Sequence, residues 1–292
     1  MALDATGALP PRRAAALSWG RLLRHPNMVG GALLLTVTVG VAVFAPLVAP
    51  YNPIEQSLGS QLLGPSPAHL FGTDEYGRDI FSRVVYGSRT ALVIGLLADG
   101  IAIALGVSIG MIAGYFGGRA DSVLMRLIDV LLAFPYLLLA MIIVTVLGPS
   151  LINAMIAVGV VYTPHFARLV RGEVLATKER EFVEGARASG AGVARILGRH
   201  LLPNVLSPII VMGTLRVGFA IVETAGLSFL GLGAQPPAPE WGSMLAAGRT
   251  YMLTAPWVAT FPGLAILVTV VGSNLLGDGL RDLLDPRLRG RS

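Results

Sequence analysis

Long apolar runs, parted by short polar segments rich in arginine, set the pattern of this chain. Six runs supply the roughly 20 residues of helix that a hydrocarbon core needs. They cover residues 28–49, 91–115, 127–147, 151–170, 205–230 and 257–276. In the fourth, Pro164, His165 and Arg168 shorten the apolar part. The first reads as a retained helix and not a cleaved signal peptide: its apolar run is too long, no small-residue cleavage site closes it, and Pro46 and Pro50 end it. The expectation is an all-α integral membrane protein with six transmembrane helices.

Composition narrows the class. Of the 292 residues 54% are hydrophobic and only 13% charged, and a mean hydropathy of +0.71 is too apolar for an ordinary soluble domain. The net charge is +5, but the basic residues are scattered beside the spans and not gathered on one soluble face. That distribution argues for membrane lipid and against nucleic acid as the partner. Cysteine is absent, which excludes disulfides and thiolate metal sites. Counting Lys and Arg by side orients the spans. With the N-terminus inside, seventeen fall in cytoplasmic segments and four outside (Arg78, Arg83, Arg89, Arg249), with Arg216 inside a span. Both termini are therefore expected in the cytoplasm.

This orientation divides the chain. Residues 1–27 form a cytoplasmic N-terminal segment, in which LSWGRLLRHP at 17–26 mixes Leu and Trp with Arg, as an interfacial helix does. Residues 28–280 form the transmembrane domain, with an external segment at 51–90 and a cytoplasmic loop at about 171–204, and 281–292 form a cytoplasmic tail. In the second span Ala98, Ala102, Gly106, Gly110, Gly114 and Gly118 recur at intervals of four, a ridge along which a neighbouring helix approaches closely. Packing inside this chain is the preferred reading of Gly106, Gly110 and Gly114, with a second chain as the alternative.

The polar stretch EGARASGAGVARILGRHLLP at 184–203 reads as two short helices, 179–189 and 193–200, broken at Gly190 and Gly192 and stopped by Pro203. Val183 and Ala186 are expected on one face of the first helix, and Ile196 and Leu197 on the second, flanked by Arg187, Arg195 and Arg199. Such an element lays its apolar face in a groove of a soluble partner while its arginines set register on acidic groups.

The spacing of this stretch resembles the cytoplasmic EAA loop of ATP-binding-cassette importer permeases, E-A-A-x3-G-x9-I-x-L-P. Glu184, Ala186, Gly190, Leu202 and Pro203 match it, whereas Gly185 replaces the second residue and His200 stands where isoleucine is usual. The stretch HLFGTDEYGRDIFSRVVYGSRTALVIG from His69 resembles the dipeptide, oligopeptide and nickel permease family. So do LSFLGLG at 227–233, followed by Pro236, Pro237, Trp241 and Gly242, and the exit Asp285, Pro286, Arg287. Within that family the chain looks like the second of two paired permease subunits. The resemblance implies a type I importer permease fold in a bacterial plasma (inner) membrane. It also implies a heterodimer with a homologous permease, cytoplasmic ATP-binding subunits and an external substrate-binding protein. The cargo it implies is di- or oligopeptides, with nickel, a metallophore or haem as the alternative.

Four ionisable residues lie within the expected spans: Asp99, Asp129, Arg216 and Glu223. Each costs roughly 2.5 to 3.5 kcal/mol near the bilayer centre on insertion scales, so they are expected to face protein or water. Arg216 and Glu223 stand two helical turns apart and share a face of the fifth span. They line a cavity, Arg216 meeting a carboxylate and Glu223 or Asp129 an amino group, or else they form ion pairs that fix packing. An ion-coupled secondary transporter is a further reading of Asp99, Asp129 and Glu223. The four histidines are too far apart for a metal-ligand spacing, and Asp74, Glu75 and Asp79 are expected to pair with Arg78 and Arg83 more than to hold a cation. No nucleophile or base constellation suggests an enzyme. A P-loop needs G-x4-G-K-[ST], yet the only lysine, Lys178, follows Thr177. No cofactor is therefore expected on this chain, and ATP with Mg belongs to the partner subunits.

Overall fold

A computed structural model describes residues 25–284. The interfacial helix expected before the first span and the Asp285, Pro286, Arg287 stretch lie outside the described residues. The described residues are mainly helical: α1 Pro26–Val43, α2 Ala45–Val48, α3 Ile80–Phe116, α4 Gly118–Leu132, α5 Tyr136–Leu147, α6 Leu151–Thr177 and α7 Glu181–Ala188. Then follow α8 Val193–Arg195, a π-helical stretch Ile196–Leu201, α9 Leu202–Phe229, α10 Trp241–Gly248 and α11 Trp257–Leu284. Among the described residues the only β pairing is a single bridge between Thr73 and Asp79.

Four helical stretches are long and apolar enough to cross a membrane: α1, α3, the unbroken run through α8 and α9, and α11. A fifth is the α4–α5 pair, taken as one broken span. The six expected spans are thus reduced to four or five by length and composition. In place of a straight third span at 127–147, α4 and α5 meet at 94°. The bend falls at 133–135, where Pro135 has no backbone N–H to donate and forces the residue before it out of the helical region. The fourth expected run falls in the 27-residue α6, whose second half carries Arg168, Arg171 and Glu173 and which is not among those stretches. The second begins at Ile80, well before residue 91, because Asp79 caps α3 by accepting from the Ser82 N–H at 2.8 Å. The external segment therefore ends at Asp79, and the sixth span continues beyond residue 276 to Leu284.

The centre of the bundle is the contact of α3 with α6. Ala98 and Ala102 are fully buried, and a Cβ on Gly110 would lie 2.6 Å from the Ala167 carbonyl and 2.8 Å from the Val170 Cβ. At Gly114 it would meet the Val174 Cβ at 2.8 Å, and at Gly106 it would run into Phe166. Gly118 differs: it follows the end of α3 at φ +52° and faces open space, so the ridge ends at Gly114. Gly110→Val is expected to lower the unfolding free energy by about 2 kcal/mol or more through overpacking. Gly100→Val, where nothing lies within 4 Å, is the control expected to stay near wild type. Thermal unfolding in detergent, followed by tryptophan fluorescence, checks both.

On the external side α10 tucks under α3. The Trp241 indole donates to the Val84 carbonyl at 3.0 Å, and the Trp257 indole to the Thr73 carbonyl at 3.3 Å. Glu240 caps α10, accepting from the Gly242 and Ser243 N–H groups at 2.9 and 2.7 Å. Burial raises the Glu240 pKa above its ordinary value in spite of these bonds. A carboxyl with a raised folded-state pKa binds protons more readily in the native than in the unfolded chain. Its contribution to stability is full below the unfolded pKa and is lost as pH rises through the folded one. Glu240→Gln is accordingly expected to flatten the fall in melting temperature between about pH 5 and about pH 7.5, as thermal scans across that range would read.

Candidate functional site

A groove of about 1130 Å³ runs between α6 and α9, with Arg281 of α11 at one end. The α9 residues Asn204, Ser207, Pro208, Met212, Arg216 and Glu223 form one wall, and Tyr162, His165 and Glu173 of α6 face them. Arg216 and Glu223 share this wall, as their spacing of two turns requires. The Arg216 guanidinium lies 4.7 Å above the centre of the Tyr162 ring, a cation–π arrangement. The Tyr162 hydroxyl and the His165 Nδ1 are buried without hydrogen-bond partners. The groove thus carries two cations, Arg216 and Arg281, and two anions, Glu173 and Glu223, among apolar and neutral polar side chains, which suits a small solute bearing both charges.

Asp129 and Asp99 lie elsewhere. Asp129 pairs with Arg168 at 2.6 Å on an exposed surface, and Arg171 grips Asp121 through two bonds of 2.5 and 2.6 Å. Both pairs tie α4 to α6, so the inner arginines of α6 are occupied by packing. Asp99 is buried on α3 behind α9, facing Gly213, and lines a separate, mainly apolar pocket of about 490 Å³. A role for Asp129 in meeting the amino group of a solute is therefore replaced by helix tethering.

Tyr162 and His165 were not singled out in the sequence for this groove. The signal was there: Tyr-Thr-Pro-His is a polar cluster inside an apolar helix, and it interrupted the fourth span.

The loop at 171–204 holds the second site. Its first helix runs from Glu181 and not from 179, and the second does not stop at Pro203. Pro203 sits in the first turn of α9, and the π-helical stretch joins α8 to α9 without a break, so the helix runs through Pro203. Gly190 adopts φ +76°, the left-handed conformation that glycine takes at little cost, and its N–H reaches the Arg187 carbonyl at 2.9 Å. Val183 and Ile196 are buried within this chain, packed in the same cluster as Val170, Val174 and Leu201. They are not free to fill a partner's groove. Phe182 and Val193 instead present the exposed apolar surface, 41% and 42% accessible, beside exposed Glu184, Gly185 and Arg187, with Ala186 half-buried. The loop is tied to the inner end of α3: Arg187 lies 5.3 Å over the Tyr115 ring, and the Lys178 ammonium donates to the Gly114 carbonyl at 3.0 Å. His200 and Leu202 are half-buried where the π-helical stretch runs into α9.

The acidic cluster at 74–79 is self-paired. Asp74 binds Arg78 at 2.6 Å and Arg83 at 3.5 Å, Glu75 lies 3.5 Å from Arg78, and the Asp79 carboxylate accepts from His69 Nδ1 at 2.9 Å. Among the described residues no group of three or more His, Asp and Glu is placed to hold a metal ion.

Against known proteins, the profile of the family described as binding-protein-dependent transport system inner membrane component matches residues 106–290. A profile described as the N-terminal TM domain of oligopeptide transport permease C matches residues 15–65. The chain is 46% identical over 286 residues to a dipeptide transport system permease protein of Alkalihalophilus pseudofirmus, covering 98% of this chain and 93% of that one. It is 42% identical to a probable D,D-dipeptide transport system permease protein of Escherichia coli K12, covering 100% and 99%. A glutathione transport system permease protein of Escherichia coli O6:K15:H31 is 49% identical over 273 residues, covering 93% and 90%. Among solved structures, an inward-facing methionine ABC transporter chain superposes with a TM-score of 0.57 at 17% identity, covering 70% of this chain and 98% of that one.

Proposed function

Because this chain belongs to the family of binding-protein-dependent transport system inner membrane components, we propose that it is the transmembrane permease subunit of an ATP-driven importer of di- and oligopeptides. It pairs with a homologous permease in the bacterial inner membrane, its termini in the cytoplasm. Cytoplasmic subunits bind ATP and Mg, and an external binding protein delivers cargo. Closure of the ATPases moves the segment from Glu181 to Leu202. That motion passes to α3 through Arg187 and Lys178, and to α9 through the unbroken helix beyond Ile196. The groove between α6 and α9 then alternates between the two sides of the membrane.

The observation that carries the peptide reading is the placement of Arg216 and Glu223 on one wall of that groove. A dipeptide carries a carboxylate and an ammonium at opposite ends, and these two side chains offer the complementary charges. In type I importers the binding protein also reads the cargo, so the permease groove adds a coarse charge filter. Reconstitution with the partner subunits into liposomes tests the reading. ATP-dependent uptake of peptides, in preference to nickel or haem, is expected. Uptake of nickel or haem alone overturns the cargo assignment, and uptake driven by an ion gradient without ATPase subunits overturns the importer.

A further inference from the structure

Asp99 is a buried carboxyl that the groove does not use. Only 4% of the residue is exposed, its Oδ1 has no hydrogen-bond partner among the described residues, and the pocket it lines is mainly apolar, with the hydroxyls of Thr214, Thr269 and Ser273 its other polar side chains. A buried acceptor left without a partner is costly, so an arrangement that pairs it is favoured wherever the chain can reach one. The nearest element is Gly213 of α9: a Cβ there would lie 3.1 Å from the Asp99 Oδ2 and 3.2 Å from the Ile103 side chain. Three residues on, Arg216 stands on the neighbouring turn, at the spacing that brings two helical side chains side by side. Yet its guanidinium is turned the other way, over Tyr162 in the groove.

We infer that Asp99 is the positioning residue for Arg216: in the opposite state of the transport cycle, Arg216 crosses the gap at Gly213 and pairs with Asp99. Gly213 leaves the passage open because it has no side chain. Arg216 is thereby shared between two carboxylates, that of Asp99 and that of a peptide in the groove. Arrival of a peptide carboxylate holds Arg216 in the groove, and release of cargo lets it return. A cation that must leave one partner for another links occupancy of the groove to the state of the helices. This rests on the importer reading.

The test is a double-mutant cycle on ATP hydrolysis without peptide, in the full complex of both permeases and the ATPase subunits. Leaving peptide out removes any effect of cargo contact. Asp99→Asn and Arg216→Gln are each expected to slow basal turnover about tenfold, and the double variant by the same factor, because all three lose one pair. Asp99→Glu, which keeps the charge, is expected to recover most of the rate. Gly213→Val is expected to match the loss with both charges intact. A double variant slowed by the product of the two single effects overturns the pairing, as does an unchanged rate in Asp99→Asn. The importer reading fails separately, if the wild-type complex hydrolyses ATP but accumulates no peptide.

Discussion

Gly190→Pro is expected to leave the protein inserted and folded while abolishing ATP-driven uptake. Three features of the loop converge on this result. Gly190 sits at φ +76°, which proline, held near −65°, cannot reach. Its N–H, which proline lacks, donates to the Arg187 carbonyl at 2.9 Å, and the next residue closes the turn through the Ala191 N–H to the Ala186 carbonyl at 3.0 Å. Nothing lies within 4 Å of the position, so the rest of the bundle does not depend on it. The cost, about 3 kcal/mol or more, falls on the turn between α7 and α8 alone. Glu184→Lys is expected to act likewise, because Glu184 is exposed and, among the described residues, forms no ion pair within this chain. In liposomes both variants are expected to show less than about a tenth of wild-type uptake while the ATPase subunits keep hydrolysing ATP. Wild-type uptake in both removes the coupling role from the loop.

The second large effect concerns the groove. Arg216→Gln removes the only cation on the wall shared with Glu223. At an effective dielectric near 20 an ion pair at about 4 Å contributes around 4 kcal/mol before desolvation is charged against it, and a net loss of about tenfold in uptake is the conservative expectation. The selectivity pattern is the sharper readout. Uptake of a peptide with a free C-terminus is expected to fall further than that of a C-terminally amidated peptide, which has no carboxylate to lose contact and falls only with the slower basal cycle of the variant. Glu223→Gln is expected to show the mirror pattern between free and N-acetylated peptides. Equal losses for free and blocked peptides remove the charge-reading role and leave Arg216 and Glu223 as packing residues.

The pairing of Asp129 with Arg168 shows where reading a helical pattern stops. A charge inside an apolar run has to face protein or water, and the run itself does not say which. Asp129, about one turn before the bend at 133–135, pairs with Arg168 of α6 on an exposed surface, whereas Asp99, about five turns into α3, is buried against α9. The loop divides in the same way. Its order and its glycine were legible from spacing, but which of its apolar residues are spoken for depended on the interior cluster that buries Val183 and Ile196 together with Val170 and Val174 of α6. The apolar surface the loop leaves exposed is therefore Phe182 and Val193, two residues whose exposure no periodicity announced.

Hydrophobic run length by itself determined that the chain is a helical membrane protein, and the resemblance of its loop and flanking motifs pointed to a permease subunit. These are properties of single segments measured against one solvent, the bilayer, and need no neighbour. The tertiary structure alone decided which charges share a groove, that α4 and α5 meet at a sharp bend, and that the helix runs through Pro203 instead of stopping there. Those depend on how side chains from distant segments meet in a close-packed interior, where a neighbouring turn decides whether a residue is paired, buried or free.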